Sequence, residues 1–158
     1  MKTTFFSRIR ICPLALLLLC VGIAPLKGQE LEPRNYIAYK ATEKLNIDGH
    51  GNDVSWQKAP WSQDYIDIEG KKVPDYRTRM KMLWDSKYLY VLTEMEEPHV
   101  WATLKQRDTV IFYNNDFEIF IDPDGDTHNY YEYEMNALNT LWDLFLTKPY
   151  RNHGKVID

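Results

Sequence analysis

The chain has 158 residues, with 19 Lys and Arg against 23 Asp and Glu and a formal net charge of −4. A negative chain gains nothing from counterion release on DNA or RNA, which argues against nucleic acid as a partner. Both cysteines, Cys12 and Cys20, fall near the amino terminus, so the rest of the chain has no disulfide framework, thiolate metal site or Cys nucleophile.

Residues 1–28 predict an export signal. Lys2, Arg8 and Arg10 precede the apolar runs 14–19 and 21–24, and Gly28 stands at a cleavage position. The apolar core is too short to span a bilayer. The run Leu17-Leu18-Leu19-Cys20 offers a lipoprotein alternative, although Leu19 stands where a small residue is expected. Cleavage after Gly28 leaves 130 residues with 15 basic and 23 acidic side chains, a net charge of −8, and 20 aromatics. That content excludes disorder and suffices for one small core plus an aromatic surface. The expected location is the periplasm, the cell surface or the medium.

Residues 29–41 read as a linker or leading arm, and 42–158 as one domain. A short strand is predicted over 44–48, followed by the turn around Gly49 and Gly51. Asp53 predicts the cap of a brief helix that Pro60 stops. Residues 64–68 alternate as a strand would. The clearest hairpin follows, with strands 77–84 and 87–96 about a turn at Asp85 and Ser86. In that register Trp84 opposes Lys87, Met82 opposes Leu89, Met80 opposes Val91, and Arg77 opposes Glu94. Residues 98–106 break the pattern, and 108–113 form a short apolar stretch. Residues 116–122 alternate Phe117, Ile119 and Ile121 against Glu118, Phe120 and Asp122. Residues 129–137 set Tyr131, Tyr133 and Met135 against Glu132, Glu134 and Asn136. A last strand is predicted over 141–147.

Six to eight short strands with almost no helix predict an all-β fold, an antiparallel β-sandwich of immunoglobulin or jelly-roll type. A sandwich normally closes with another strand, so the loop at 151–155 reads as the front of a fold lacking its carboxy-terminal strand or strands.

Several residues stand out chemically. Glu118, Glu134 and Asn136 share one parity on neighbouring strands, where planar polar groups can grip paired hydroxyls; a solvated face explains them equally. Trp101, in a loop beside His99, is a candidate stacking platform. Trp84 and Trp142 alternate in step with apolar neighbours and read as core, whereas Trp56 and Trp61 flank Pro60 and read as edge packing. Asp122, Asp124 and Asp126 set three carboxylates at alternate positions, a spacing that suits calcium. A polar turn is the plain alternative, since Pro123 and Gly125 are turn residues themselves. The four histidines have no ligand spacing.

The segments Leu45-Asn-Ile-Asp-Gly49 with Trp56, Leu83-Trp-Asp-Ser-Lys-Tyr-Leu-Tyr-Val91, Asn115-Asp-Phe-Glu-Ile-Phe-Ile-Asp-Pro123 and Tyr130-Tyr-Glu-Tyr-Glu-Met-Asn-Ala-Leu-Asn-Thr140 resemble the family 9 carbohydrate-binding modules. The last looks like the family 9-like branch in secreted bacterial proteins. The resemblance implies an antiparallel sandwich that binds sugar and accompanies glycoside hydrolases, with structural calcium. It places a ligand-binding Glu at Glu118 and an aromatic platform about six residues earlier, at Phe112 beside Tyr113. Where the family has an Arg on the next strand, this chain has Glu132 and Glu134.

The function expected is therefore that of a secreted, non-catalytic module docking on polysaccharide or oligosaccharide. Its single-site affinity would be on the order of micromolar to millimolar. The alternative is the amino-terminal part of a larger glycoside hydrolase or related exported enzyme. A cofactor carrier is a third reading, for which the Met and His residues offer no persuasive axial pair.

Overall fold

The computed structural model describes residues 33–158. The expected export signal and the lipoprotein alternative at Cys20 lie outside the described residues. Among those residues, no helix is long and apolar enough to cross a membrane. The body of the fold is the unit Ala38–Asp158.

Seven strands among the described residues form two sheets, and the chain is an all-β sandwich. The first sheet contains β1 (Tyr39–Lys40), β2 (Thr78–Trp84) and β3 (Leu89–Met95), in that spatial order. The second contains β4 (Asp116–Ile121), β5 (Tyr130–Asn136), β6 (Leu141–Leu146) and β7 (Val156–Ile157). Every pairing is antiparallel except β1 with β2, which is parallel. The end of the leading arm thus supplies a strand.

The β2–β3 hairpin forms with its register two residues away from the expected one. Trp84 pairs with Leu89, Met82 with Val91, Met80 with Thr93, and Arg79 with Glu94. The cause is a longer turn. The Asp85 carboxylate accepts the N–H groups of Lys87 and Tyr88 at 2.7 and 2.8 Å, and the Asp85 N–H reaches the Tyr88 carbonyl. A two-residue slip keeps every side chain on its face, so alternation could not detect it. Arg77 still reaches Glu94, at 3.1 Å.

One face of the first sheet is closed by the residues before it. Leu45, Trp56, Ala59 and Leu83 form a buried cluster, with Leu92 and Tyr90 against it. Trp56, expected at an edge, is a core residue at 3 % exposure. It rides on α1 (Val54–Lys58), which Ala59 and Pro60 end. The Lys81 ammonium is buried against this helix and donates to the Trp56 carbonyl at 2.7 Å, satisfying an acceptor in its last turn. Trp84, expected in the core, is 42 % exposed. It ends its strand, and its indole N–H donates to the Ala38 carbonyl.

Residues 44–48 and 64–68 do not form strands. Leu45 is an anchor, while the Asn46 N–H is taken by the Asp53 carboxylate in place of a ladder partner. Ser62 and Tyr65 each donate once to β2, to Met80 and Thr78, too sparsely for a strand.

The other face of the first sheet looks onto the second across a cavity of about 700 Å³. Thr78, Val91, Thr93 and Met95 line it from one side, and Phe117, Ile119 and Met135 from the other. Phe117 and Ile119 thus face the sandwich interior, as their alternation predicts. The opposite face of β4 and β5 carries the acidic parity.

Candidate functional site

The acidic face is built by register. On β4 and β5, Glu118 is directly opposite Glu134, Asp116 opposite Asn136, and Phe120 opposite Glu132. On β5 and β6, Glu134 is opposite Trp142 and Glu132 opposite Leu144. Period-two alternation therefore gathers four carboxylates on one side of the sheet. One carboxylate oxygen from each of Asp116, Glu118 and Glu134 lies within 4.8 Å of the others.

This face is covered in part, which sequence alternation could not show. A 3₁₀ turn (Ile111–Tyr113) packs on β5, and a second (Tyr150–Asn152) follows β6. Ile111 is fully buried and acts as the nail of the first turn. The Phe112 N–H then donates to the Glu134 carboxylate at 3.1 Å. The Tyr150 hydroxyl donates to Glu132 at 2.6 Å. Glu132 and Glu134 are left 4 % and 2 % exposed, while Glu118 stays open to solvent.

Burial disfavours the charged carboxylate, and like-charged neighbours add to the effect. Burial, then Glu118, Asp116 and Glu132, push the Glu134 carboxyl up to about 7. Burial and Glu118 push Asp116 to about 6, and one of its oxygens is enclosed without a partner. Burial also raises Glu132, against the Tyr150 hydrogen bond. Burial and Glu132 together raise the Tyr150 phenol.

Phe112 and Tyr113 remain 54 % and 72 % exposed. Their rings meet edge-on at 5.1 Å, and Phe112 leans on Trp142 at 6.2 Å. Trp142 is thus half-buried support for the platform more than a sandwich-core residue. The structure brings Phe112, Tyr113, Glu118 and Glu134 together. It places Trp101 elsewhere, 47 % exposed at the inter-sheet cavity near Asn114 and Asn115.

Asn136 has its hydrogen-bonding capacity committed within the chain. Its amide nitrogen donates to the Leu104 carbonyl and to Asn114 Oδ1. Its oxygen accepts the N–H groups of Leu138 and Thr140. Asn114 Oδ1 also accepts from Thr103 and Leu104. The two amides tie the 103–104 loop to the β5–β6 turn, where Asn139 adopts a left-handed φ of 60°.

Asp116, Glu132 and Tyr150 join Glu118 and Glu134 in the same cluster, and sequence reasoning does not single them out. Asp116 and Glu132 share the parity of Glu118 and Glu134, and that alternation is the sequence signal for them. Tyr150 reaches its partner across 18 residues from a loop, with no local signal.

Asp122, Asp124 and Asp126 also converge, their oxygens within 4.8 Å. Asp122 accepts the Gly125 and Thr127 N–H groups at 3.0 and 2.8 Å, and these bonds hold its carboxyl below the usual range. The turn is therefore formed by the carboxylates themselves, and oxygen lone pairs remain that fit a hard cation.

Flat exposed rings beside planar carboxylates are the chemistry of a sugar-binding surface. A family model described as "Carbohydrate family 9 binding domain-like" matches residues 47–152, and the chain belongs to this family. Endo-1,4-beta-xylanase C of Paenibacillus barcinonensis is 31% identical over 86 residues, covering 54% of this chain and 7% of that protein. The chain therefore spans only a small fraction of that relative's length. No solved structure matched the chain significantly.

Proposed function

We propose that the chain is an exported, non-catalytic carbohydrate-binding domain that docks on a polysaccharide or oligosaccharide through Phe112, Tyr113, Glu118 and Glu134. The observation that carries this reading is the coupling of platform and carboxylate. The Phe112 N–H bond to Glu134 fixes an exposed ring pair beside an exposed acid on the next strand. A pyranose stacks its C–H face on the rings and its hydroxyls meet the exposed Glu118 carboxylate, while the buried Glu134 acts by holding the platform turn in place. Docking raises the local concentration of an attached or associated glycoside hydrolase, a gain in effective concentration without chemistry. The similarity to a xylanase supports that context and makes xylan the first glycan to try.

Calorimetry or affinity electrophoresis against xylan, cellulose and mannan tests the reading. Binding to one of them, lost in Glu118→Ala without unfolding, supports it. A folded chain that binds none of these glycans or their oligosaccharides overturns it. We further propose that Asp122, Asp124 and Asp126 hold a structural calcium, and a parallel run with chelator addresses that site.

A further inference from the structure

The inter-sheet cavity is chemically unlike the acidic face and has no part in the docking proposed above. Its walls are apolar, with Val91 and Met95 on one sheet and Phe117, Ile119 and Met135 on the other. Its volume of about 700 Å³ lies in the range of small-molecule pockets and is too small for a folded partner. Tyr76 and Trp101 also line it, and both stay largely open to solvent.

The charge of the lining has one sign. Glu96, Glu97 and Asp116 contribute to it, and among the described residues no Lys, Arg or His does. Glu96 is answered by Arg77 at 2.9 Å. Asp116 has a carboxylate oxygen in the cluster with Glu118 and Glu134. Glu97 is the acid left over. It is half-buried, and its two oxygens accept the His99 N–H at 2.8 Å and the Asn115 side-chain amide at 3.0 Å. Both donors are neutral. They fix the carboxylate where the end of β3 meets the start of β4, and they leave its charge uncompensated.

We propose that this cavity binds a small organic cation, an ammonium group on an aromatic or aliphatic body, with the head at Glu97 and the body between the sheets. Each part of that class follows from a part of the lining. An apolar body takes Met95, Phe117 and Met135 out of water. A carboxylate and aromatic rings both favour a positive charge on the ligand. A neutral hydroxyl would gain a weaker hydrogen bond from Glu97, and a ligand carboxylate would meet a like charge there. The lining includes none of Phe112, Tyr113, Glu118 and Glu134, so the proposal is independent of the carbohydrate reading.

The test uses three probes of similar shape: phenethylammonium, the neutral phenethyl alcohol and the anionic hydrocinnamate. Titration calorimetry of the full chain in low-salt buffer measures their binding, with folding checked by circular dichroism. The ammonium is expected to bind at least about tenfold more tightly than the alcohol, and hydrocinnamate more weakly still. Glu97→Gln keeps a planar group and removes the charge, and it should close the gap between ammonium and alcohol. Trp101→Ala should weaken the ammonium by about threefold or more. Equal affinity for ammonium and alcohol overturns the proposal, and so does a gap that survives Glu97→Gln. A folded chain that binds no phenethylammonium overturns it as well. Displacement of the bound ammonium by a xylo-oligosaccharide would put both ligands in one site and overturn it too. A chain that binds the ammonium but no glycan overturns the carbohydrate reading and leaves this proposal standing.

Discussion

Glu118 and Glu134 are direct cross-strand partners on β4 and β5, one open to solvent and the other 2 % exposed. Like charges in that relationship destabilise a sheet. The conflict is relieved by proton uptake at the buried member, whose carboxyl lies at about 7. The Phe112 N–H bond then secures that same group to the platform turn.

Stability should therefore fall as pH rises from mildly acidic to neutral. A carboxyl raised in the folded state binds its proton more tightly there than in the unfolded chain. Its contribution is complete below the ordinary value of 4.5 and is lost as pH rises through about 7. Asp116 acts in the same direction between 3.8 and about 6. Unfolding free energy is expected to drop by on the order of 2 kcal/mol from pH 4.5 to 8. Glu134→Gln is expected to flatten that slope. Scanning calorimetry across the window measures both, and a midpoint that climbs through it would contradict the proton assignment.

Phe112→Ala and Tyr113→Ala should each weaken glycan binding by about tenfold, the scale of one stacking contact. Because both rings are more than half exposed, the thermal midpoint should move little. Trp101→Ala, at the separate inter-sheet cavity, is expected to leave glycan affinity unchanged. Titration calorimetry on the three variants distinguishes platform from cavity.

Asn136→Ala should be costly to folding. The substitution strands the Leu138 and Thr140 N–H groups and one bond each to Leu104 and Asn114, in a buried setting. A loss of about 3 kcal/mol is expected from urea unfolding. The exposed Glu118 on the same sheet face should lose far less as Glu118→Ala.

Calcium is expected to raise the thermal midpoint, and a chelator to lower it again, if Asp122, Asp124 and Asp126 hold the ion. At a hundredfold excess over the dissociation constant the gain is about 2.7 kcal/mol. Asp124→Asn is the better probe, because Asp122 also holds the turn through Gly125 and Thr127. A midpoint insensitive to calcium would remove the site.

Much of the fold is legible in the sequence. The alternation at 116–122 and 129–137 marks β4 and β5 and assigns every side chain to its face. The family motifs lead to Glu118, Phe112 and Tyr113. What is misread has definite causes. The β2–β3 register shifts because Asp85 caps a longer turn, and a shift of two preserves parity. Trp84 and Trp56 exchange expectations because Trp84 lies at the exposed end of its strand and Trp56 on the inward side of helix α1, and neither placement depends on the residue type. Asn136 reads as an outward polar group because nothing near it in sequence announces the Leu104 and Asn114 contacts.

The sequence by itself determined the sandwich, the two faces of its strands and the acidic character of one of them. Each follows from a period of two, which is a local property of the extended chain. Tertiary structure decided which of those acids are buried. That depended on the 111–113 and 150–152 turns folding over β5 from distant points in the chain. Burial in turn sets the protonation of Glu134, because desolvation is a property of the surroundings and not of the residue.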